Sequence, residues 1–305
     1  MSISSPSLPL TEQVSTGRRS RVLDYVELTK PKIAALILVT VFAAGFVARW
    51  GHPNWLALLH AMIGTALVAA SASALNQLLE RKRDAQMART ADRPVVAGRI
   101  SLSGVLAFAI VTVLAGLLYL AAFVNWLTVG WALLTWVMYV CVYTPLKMKS
   151  TANTGVGAIA GALPTLIGWS ACGGAMDVRA AAIFLLVFLW QFPHFMAIAW
   201  IYRDQYKAAG FRMLTVADPS GRRAGVQAVL SALALLPVSF VPVLVAPTGG
   251  GALYLLVAFA LGFGQLICAI RFCLRVDEHS ARSLLRASLI YLPAVMAALM
   301  LTLAI

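Results

Sequence analysis

Apolar runs of about 20 residues, the length a helix needs to cross the hydrocarbon core of a bilayer, recur from Ile33 to the C-terminus, each closed by a short polar link. The pattern predicts nine spans, over residues 33–50, 55–79, 102–123, 126–143, 154–174, 181–201, 226–247, 252–271 and 284–304. No run alternates with a period of two. Because lipid offers the backbone no hydrogen bonds, runs of this kind have to be helices rather than barrel strands. The expected fold class is all-α: a polytopic membrane protein, a bundle of nine transmembrane helices, with links too short for a second domain. Glycines and prolines inside the runs (Gly155, Gly157, Gly161, Pro164, Pro193, Pro237, Pro242) suit close helix packing in lipid.

Composition agrees, with 61% of the 305 residues apolar and 11% charged. Charge adds an orientation. With the N-terminus inside, every one of the 24 Lys and Arg residues except Arg49 and Arg179 falls on the cytoplasmic side, so the positive-inside rule places the N-terminus in the cytoplasm. The net charge of +13 then reads as topology and contact with anionic headgroups of the lipid bilayer, and no nucleic-acid partner is expected. Cys141, Cys172, Cys268 and Cys273 contain no CxxC pair, which points away from a disulfide framework or a structural zinc site. The opening MSISSPSLPLTEQVSTGRRS lacks the apolar core of a secretory signal. Residues 1–27 are expected to be a disordered cytoplasmic tail and 28–305 a single membrane domain.

Of the eleven Asp and Glu residues, only Asp177 lies outside and none sits at mid-span, unlike an ion-coupled transporter. Instead, Asn76, Glu80 and Asp84 follow one another at intervals of four in LNQLLERKRDAQMARTADRP. On a helix they share one side over roughly 12 Å, at what the hydropathy reads as a wet helix end. Carboxylates and an amide carbonyl are hard oxygen donors suited to Mg²⁺ shared with phosphates, and Arg89 and Arg93 follow within reach of phosphate oxygens. The same charges also suit an ordinary juxtamembrane collar. Two further links carry related chemistry. YTPLKMKST puts Tyr143 and Lys147 across a proline turn, and the exit of the sixth span crowds Arg203, Asp204, Tyr206 and Lys207. Spans two, four and six descend to the same side, so these ends are expected to form one basin of the kind a Mg²⁺-diphosphate site requires.

The pattern Asn76-x3-Glu80-x3-Asp84-x2-Met87-x-Arg89-Thr90-x2-Arg93-Pro94, with YTPLK, WQFPHF (Trp190–Phe195), Tyr202-Arg203-Asp204 and YKAAG, resembles the protohaem IX farnesyltransferases, the haem O synthase branch of the UbiA superfamily of intramembrane prenyltransferases. The resemblance implies a nine-helix bundle of the UbiA type and farnesyl transfer from farnesyl diphosphate to a vinyl group of haem B. It implies Mg²⁺ on Asn76, Glu80, Asp84 and Asp204, with Lys147, Lys207, Arg89, Arg93 and Arg203 on the diphosphate. Tyr143, Trp190, Phe195, Trp200 and Tyr206 would line the substrates. His194, in WQFPHF, is expected to contact haem. Gln205 stands where related proteins often carry another acid. The implied setting is the bacterial inner membrane, with the mitochondrial inner membrane as the alternative, and haem A synthase or oxidase assembly factors are candidate partners. Two other readings are a prenyltransferase for an aromatic acid or quinone precursor, and a transporter or non-catalytic assembly factor.

Overall fold

The structure is a computed structural model describing residues 21–245 and 251–304. The first 20 residues of the expected tail lie outside the described residues. Its last residues do not: Arg21–Leu28 form a helix, α1. Arg99 holds α1 in place, with Nε 2.7 Å from Asp24 Oδ1, Nη1 2.9 Å from Asp92 Oδ1 and Nη2 3.4 Å from Glu27 Oε2.

After the Thr29-Lys30 link, α2 (Pro31–Ala48) begins on a proline, whose missing N–H costs nothing in the first turn. Then come α3 (Trp55–Asp84), α4 (Leu102–Phe123) and α5 (Trp126–Val137). Asn54, Ser101 and Asn125 cap the last three, each accepting a backbone N–H three residues on. The expected proline turn at the end of the fourth span is instead a π-helical stretch, Met138–Tyr143, continuing into α6 (Thr144–Leu146). Pro145 explains it. Proline lacks the donor for the usual i→i−4 bond and crowds the carbonyl of Cys141, and the turn widens so that Thr144 N–H donates to Tyr139 O.

The chain continues with α7 (Asn153–Ala171), α8 (Val178–Ile201), the short α9 (Arg203–Ala208) and α10 (Leu214–Ala217), then α11 (Arg222–Leu244), α12 (Ala252–Arg275) and α13 (Glu278–Ala304). Among the described residues nine helices are long and apolar enough to cross a membrane, and the protein is a multi-pass membrane protein. Several run past the expected span ends, α3 to Asp84 rather than 79 and α13 from Glu278 rather than 284. Hydropathy marks only the apolar part of a helix; capping and paired polar residues decide where the hydrogen-bonded turns stop.

α7 is the most enclosed span, packed against α2, α5 and α8, while α8 in turn meets α11 and α13. The α2–α7 contact depends on Gly168, where an added Cβ would lie 1.9 Å from Val41 O. The main core joins Val41, Leu58, Trp169, Trp190, Tyr254 and Leu299. α4 and α12 turn exposed leucines outward (Leu106, Leu114, Leu118; Leu253, Leu256), as lipid-facing helices do.

Candidate active site

The last two turns of α3 carry Asn76, Glu80 and Asp84 inward. All three are buried, at 1%, 4% and 2% exposure, so the expected wet helix end is instead a polar wall inside the bundle. Buried carboxylates need partners, and each member of the ladder faces a cation. Lys30 Nζ donates to Asn76 Oδ1 at 2.6 Å, Lys147 Nζ lies 2.8 Å from Glu80 Oε1, and Arg93 Nη1 is 2.5 Å from Asp84 Oδ2. Asn76 Nδ2 also donates to Thr144 Oγ1 at 3.1 Å, which ties the ladder to α6.

The π turn sets Lys147. Tyr143, half-buried, presents its ring face 4.5 Å from the ammonium, and the ring fits because residue 157 is glycine: a Cβ there would lie 2.6 Å from Tyr143 Cε2. Burial opposes the charge on Lys147, but the adjoining Glu80 carboxylate outweighs burial and holds the ammonium above the ordinary lysine range. Lys30 behaves oppositely. Burial, then the neighbouring Arg93 and Lys147, lower it from 10.5 to about 7 despite Glu80 and Asp84.

Parts of the three links meet. Arg212 N–H donates to Lys147 O at 2.8 Å and Asn153 Nδ2 to Arg212 O at 2.9 Å, joining the link after α6 to the segment after α9. Arg83 Nη1 donates to Ala209 O at 2.6 Å, joining the end of α3 to the same segment. Arg89 lies 4.9 Å above the Tyr202 ring and 3.4 Å from Tyr206 OH, so Arg89 and Tyr206 face each other across the mouth.

Asp204 is not brought in. Its side chain is 85% exposed and lies 3.8 Å from Arg203 Nη2; Arg203 covers the Trp200 ring at 4.5 Å, and Lys207 is exposed. Among the described residues no group of three or more His, Cys, Asp or Glu side chains is arranged to hold a metal. Asn76, Glu80 and Asp84 are nonetheless hard oxygen donors of the kind divalent cations take, each engaged here by a lysine or by Arg93.

Deeper in the bundle, His194 and Phe195 are half-buried on α8 and Trp190 is buried. Trp190 stacks on His194 with centroids 5.1 Å apart and donates Nε1–H to Ser288 O at 2.6 Å. Trp200 packs edge-on against Phe272. A cavity of about 710 Å³ opens between α3, α4 and Met148. Its Leu78 and Lys82 lie on the opposite side of α3 from the ladder, so it is separate from the acidic basin.

Sequence reasoning missed Lys30, Thr144 and Ser288. Lys30 left one signal, a cation directly before the proline that opens the first span, which also reads as an ordinary positive-inside charge.

Residues 37–292 match the UbiA prenyltransferase family. Over 93% of its length the chain is 40% identical to the protoheme IX farnesyltransferase of Koribacter versatilis, covering 94% of that protein. A structure of digeranylgeranylglyceryl phosphate synthase superposes with a TM-score of 0.78 at 15% identity, over 93% of this chain and 99% of the other. A UbiA homolog from Archaeoglobus fulgidus bound to DMAPP and Mg²⁺ superposes at 0.68 and 18% identity, over 90% and 99%. These two structures match the fold. The chain belongs to the UbiA prenyltransferase family, within its protoheme IX farnesyltransferase branch.

Proposed function

We propose that the protein transfers the farnesyl group of farnesyl diphosphate to a vinyl group of haem B, giving haem O for a haem-copper oxidase. The carrying observation is the buried ladder of Asn76, Glu80 and Asp84 with a cation at each rung, in a chain 40% identical to a protoheme IX farnesyltransferase. Mg²⁺, bound together with DMAPP in a structure of a UbiA homolog from Archaeoglobus fulgidus, would supply charge neutralisation at the leaving diphosphate, held by Asn76, Glu80 and Asp84, with Asp204 joining them from its exposed position on α9.

The chain's own cations do related work. Lys147 and Arg93 lie beside the ladder and Arg89 at the mouth, with Arg203 and Lys207 on the adjoining exposed segment, and in this reading they bind and orient phosphate oxygens. The C1–O bond of farnesyl diphosphate breaks with its electron pair leaving on the diphosphate. The allylic cation then needs water-free, electron-rich walls, which Tyr143, Trp190 and Phe195 offer. The terminal vinyl carbon of haem B bonds to C1, water adds at the carbon next to the macrocycle, and a proton leaves. His194 is placed to meet the porphyrin. With the N-terminus cytoplasmic, the basin opens to the cytoplasmic face of a bacterial inner membrane, and haem A synthase is a fitting recipient of the product.

Washed membranes given haem B, farnesyl diphosphate and Mg²⁺, analysed by mass spectrometry, test this. Haem O that appears only with all three supports the reading. Prenylation of an added aromatic acid or quinone precursor instead of haem would overturn it.

A further inference from the structure

Lys30 sits in the left-handed region, with φ 53° and ψ 64°. A non-glycine residue rarely adopts that conformation, and the following Pro31 disfavours compact geometry at this position still further. Strain of this kind persists only where its surroundings impose it, and it gathers at functional sites. Here it turns a lysine out of a helix link and onto the ladder, 2.6 Å from Asn76 Oδ1.

The ladder's charges explain why that matters. Two carboxylates, Glu80 and Asp84, face three cations, Lys30, Lys147 and Arg93. When Lys30 is protonated the wall carries one positive charge in excess, which repels a lone divalent ion and draws in an anion. A divalent metal arriving with a trianionic diphosphate ester brings one negative charge and balances it. Lys147 and Arg93 each have a carboxylate partner. Among the described residues the Lys30 ammonium hydrogen-bonds only the neutral Asn76 amide, and its flexible stem makes it the cation most easily exchanged.

We propose that Lys30 occupies the metal's place on Asn76 in the substrate-free protein and passes to the diphosphate when metal and prenyl diphosphate enter together. This rests on the reading of the α3 face as a diphosphate site. Lys30 is then a substrate-binding residue and also the device that couples metal binding to diphosphate binding, so that an empty site does not collect metal.

Purified full-length protein titrated with Mn²⁺, with and without a non-hydrolysable farnesyl thiodiphosphate, tests the proposal by electron paramagnetic resonance. Wild type should bind Mn²⁺ weakly alone and tightly with the analogue. Lys30→Met should bind Mn²⁺ alone about tenfold more tightly and the analogue about tenfold more weakly, and Lys30→Arg should stay close to wild type. Lys30→Gly, which relieves the backbone, should show the binding defects of Lys30→Met with a Tm no lower than wild type. This last result separates the role from capping, because the Lys30 carbonyl also accepts the N–H groups of Ile33 and Ala34. Unchanged binding in Lys30→Met and Lys30→Gly would overturn the handover. Wild type that binds Mn²⁺ and analogue but makes no haem O would overturn the haem reading and leave the handover standing. Wild type that does not bind the analogue would overturn both.

Discussion

Nδ1 of His194 lies 3.0 Å from the hydroxyl oxygen of Ser288. That hydroxyl also lies 2.8 Å from Leu285 O; in the tautomer in which it gives its proton to Leu285, the imidazole donates at Nδ1 and carries its lone pair on Nε2. Trp190 stacks against the ring and donates to the Ser288 carbonyl, fixing both partners. Iron ligation through Nε2 is the role proposed for His194.

His194→Ala should therefore abolish the Soret shift when haem B is titrated in, with farnesyl thiodiphosphate affinity within about twofold of wild type. Ser288→Ala, which frees the ring, should weaken haem binding by about tenfold. A Soret band unchanged in both variants would reduce the pair to packing.

The Glu80–Lys147 pair should behave as one unit. Either single Ala substitution leaves the other charge buried, which costs about 3 kcal/mol, and the double variant should regain much of that loss in thermal stability. Activity should not follow. Lys147→Ala should lower kcat/KM for farnesyl diphosphate by about 100-fold with KM for haem B unchanged, and the double variant should stay inactive. Recovery of activity alongside stability would make the pair purely structural.

Asp84 and Asp204 should separate in Mg²⁺ dependence. Asp84 is buried against Arg93 and Asp204 is exposed beside Arg203. Asp84→Asn should remove Mg²⁺-dependent turnover. Asp204→Asn should retain turnover and raise the Mg²⁺ concentration needed for half-maximal rate. Equal losses in rate at saturating Mg²⁺ would show that Asp204 moves fully into the basin during turnover.

On the opposite side of the bundle, Asp177 caps α8 by accepting the N–H groups of Arg179 and Ala180, and it pairs with Arg179 at 2.6 Å. Burial works to raise its carboxyl, but the hydrogen bonds from Arg179 and Ala180 outweigh it and hold the group below the ordinary 3.8. A carboxyl lowered in the folded state stabilises above its unfolded value, and that contribution is lost as pH falls through the folded one. Asp177→Ala should cost about 1 kcal/mol at neutral pH. The gap in Tm between variant and wild type should narrow as pH drops below about 4, and a constant gap would assign the loss to shape alone.

The sequence by itself determined the helical class, the number of spans and the face shared by Asn76, Glu80 and Asp84. Bilayer thickness and the 3.6-residue turn act locally, and local rules can be read along a chain. Only the tertiary structure decided what that face meets. Glu80 and Asp84, which hydropathy reads as solvated, are buried because Lys147 and Arg93 pair with them, and charged residues cannot be told buried from exposed until their partners are known. The π turn before Pro145, the seat of Tyr143 on Gly157 and the arrival of Ser288 at His194 all join residues from separate helices or depend on how a helix relaxes around one proline. The same holds for Lys30. Its place among the cationic links is visible in the sequence, but the left-handed backbone between α1 and α2 that accompanies its reach to Asn76 is not.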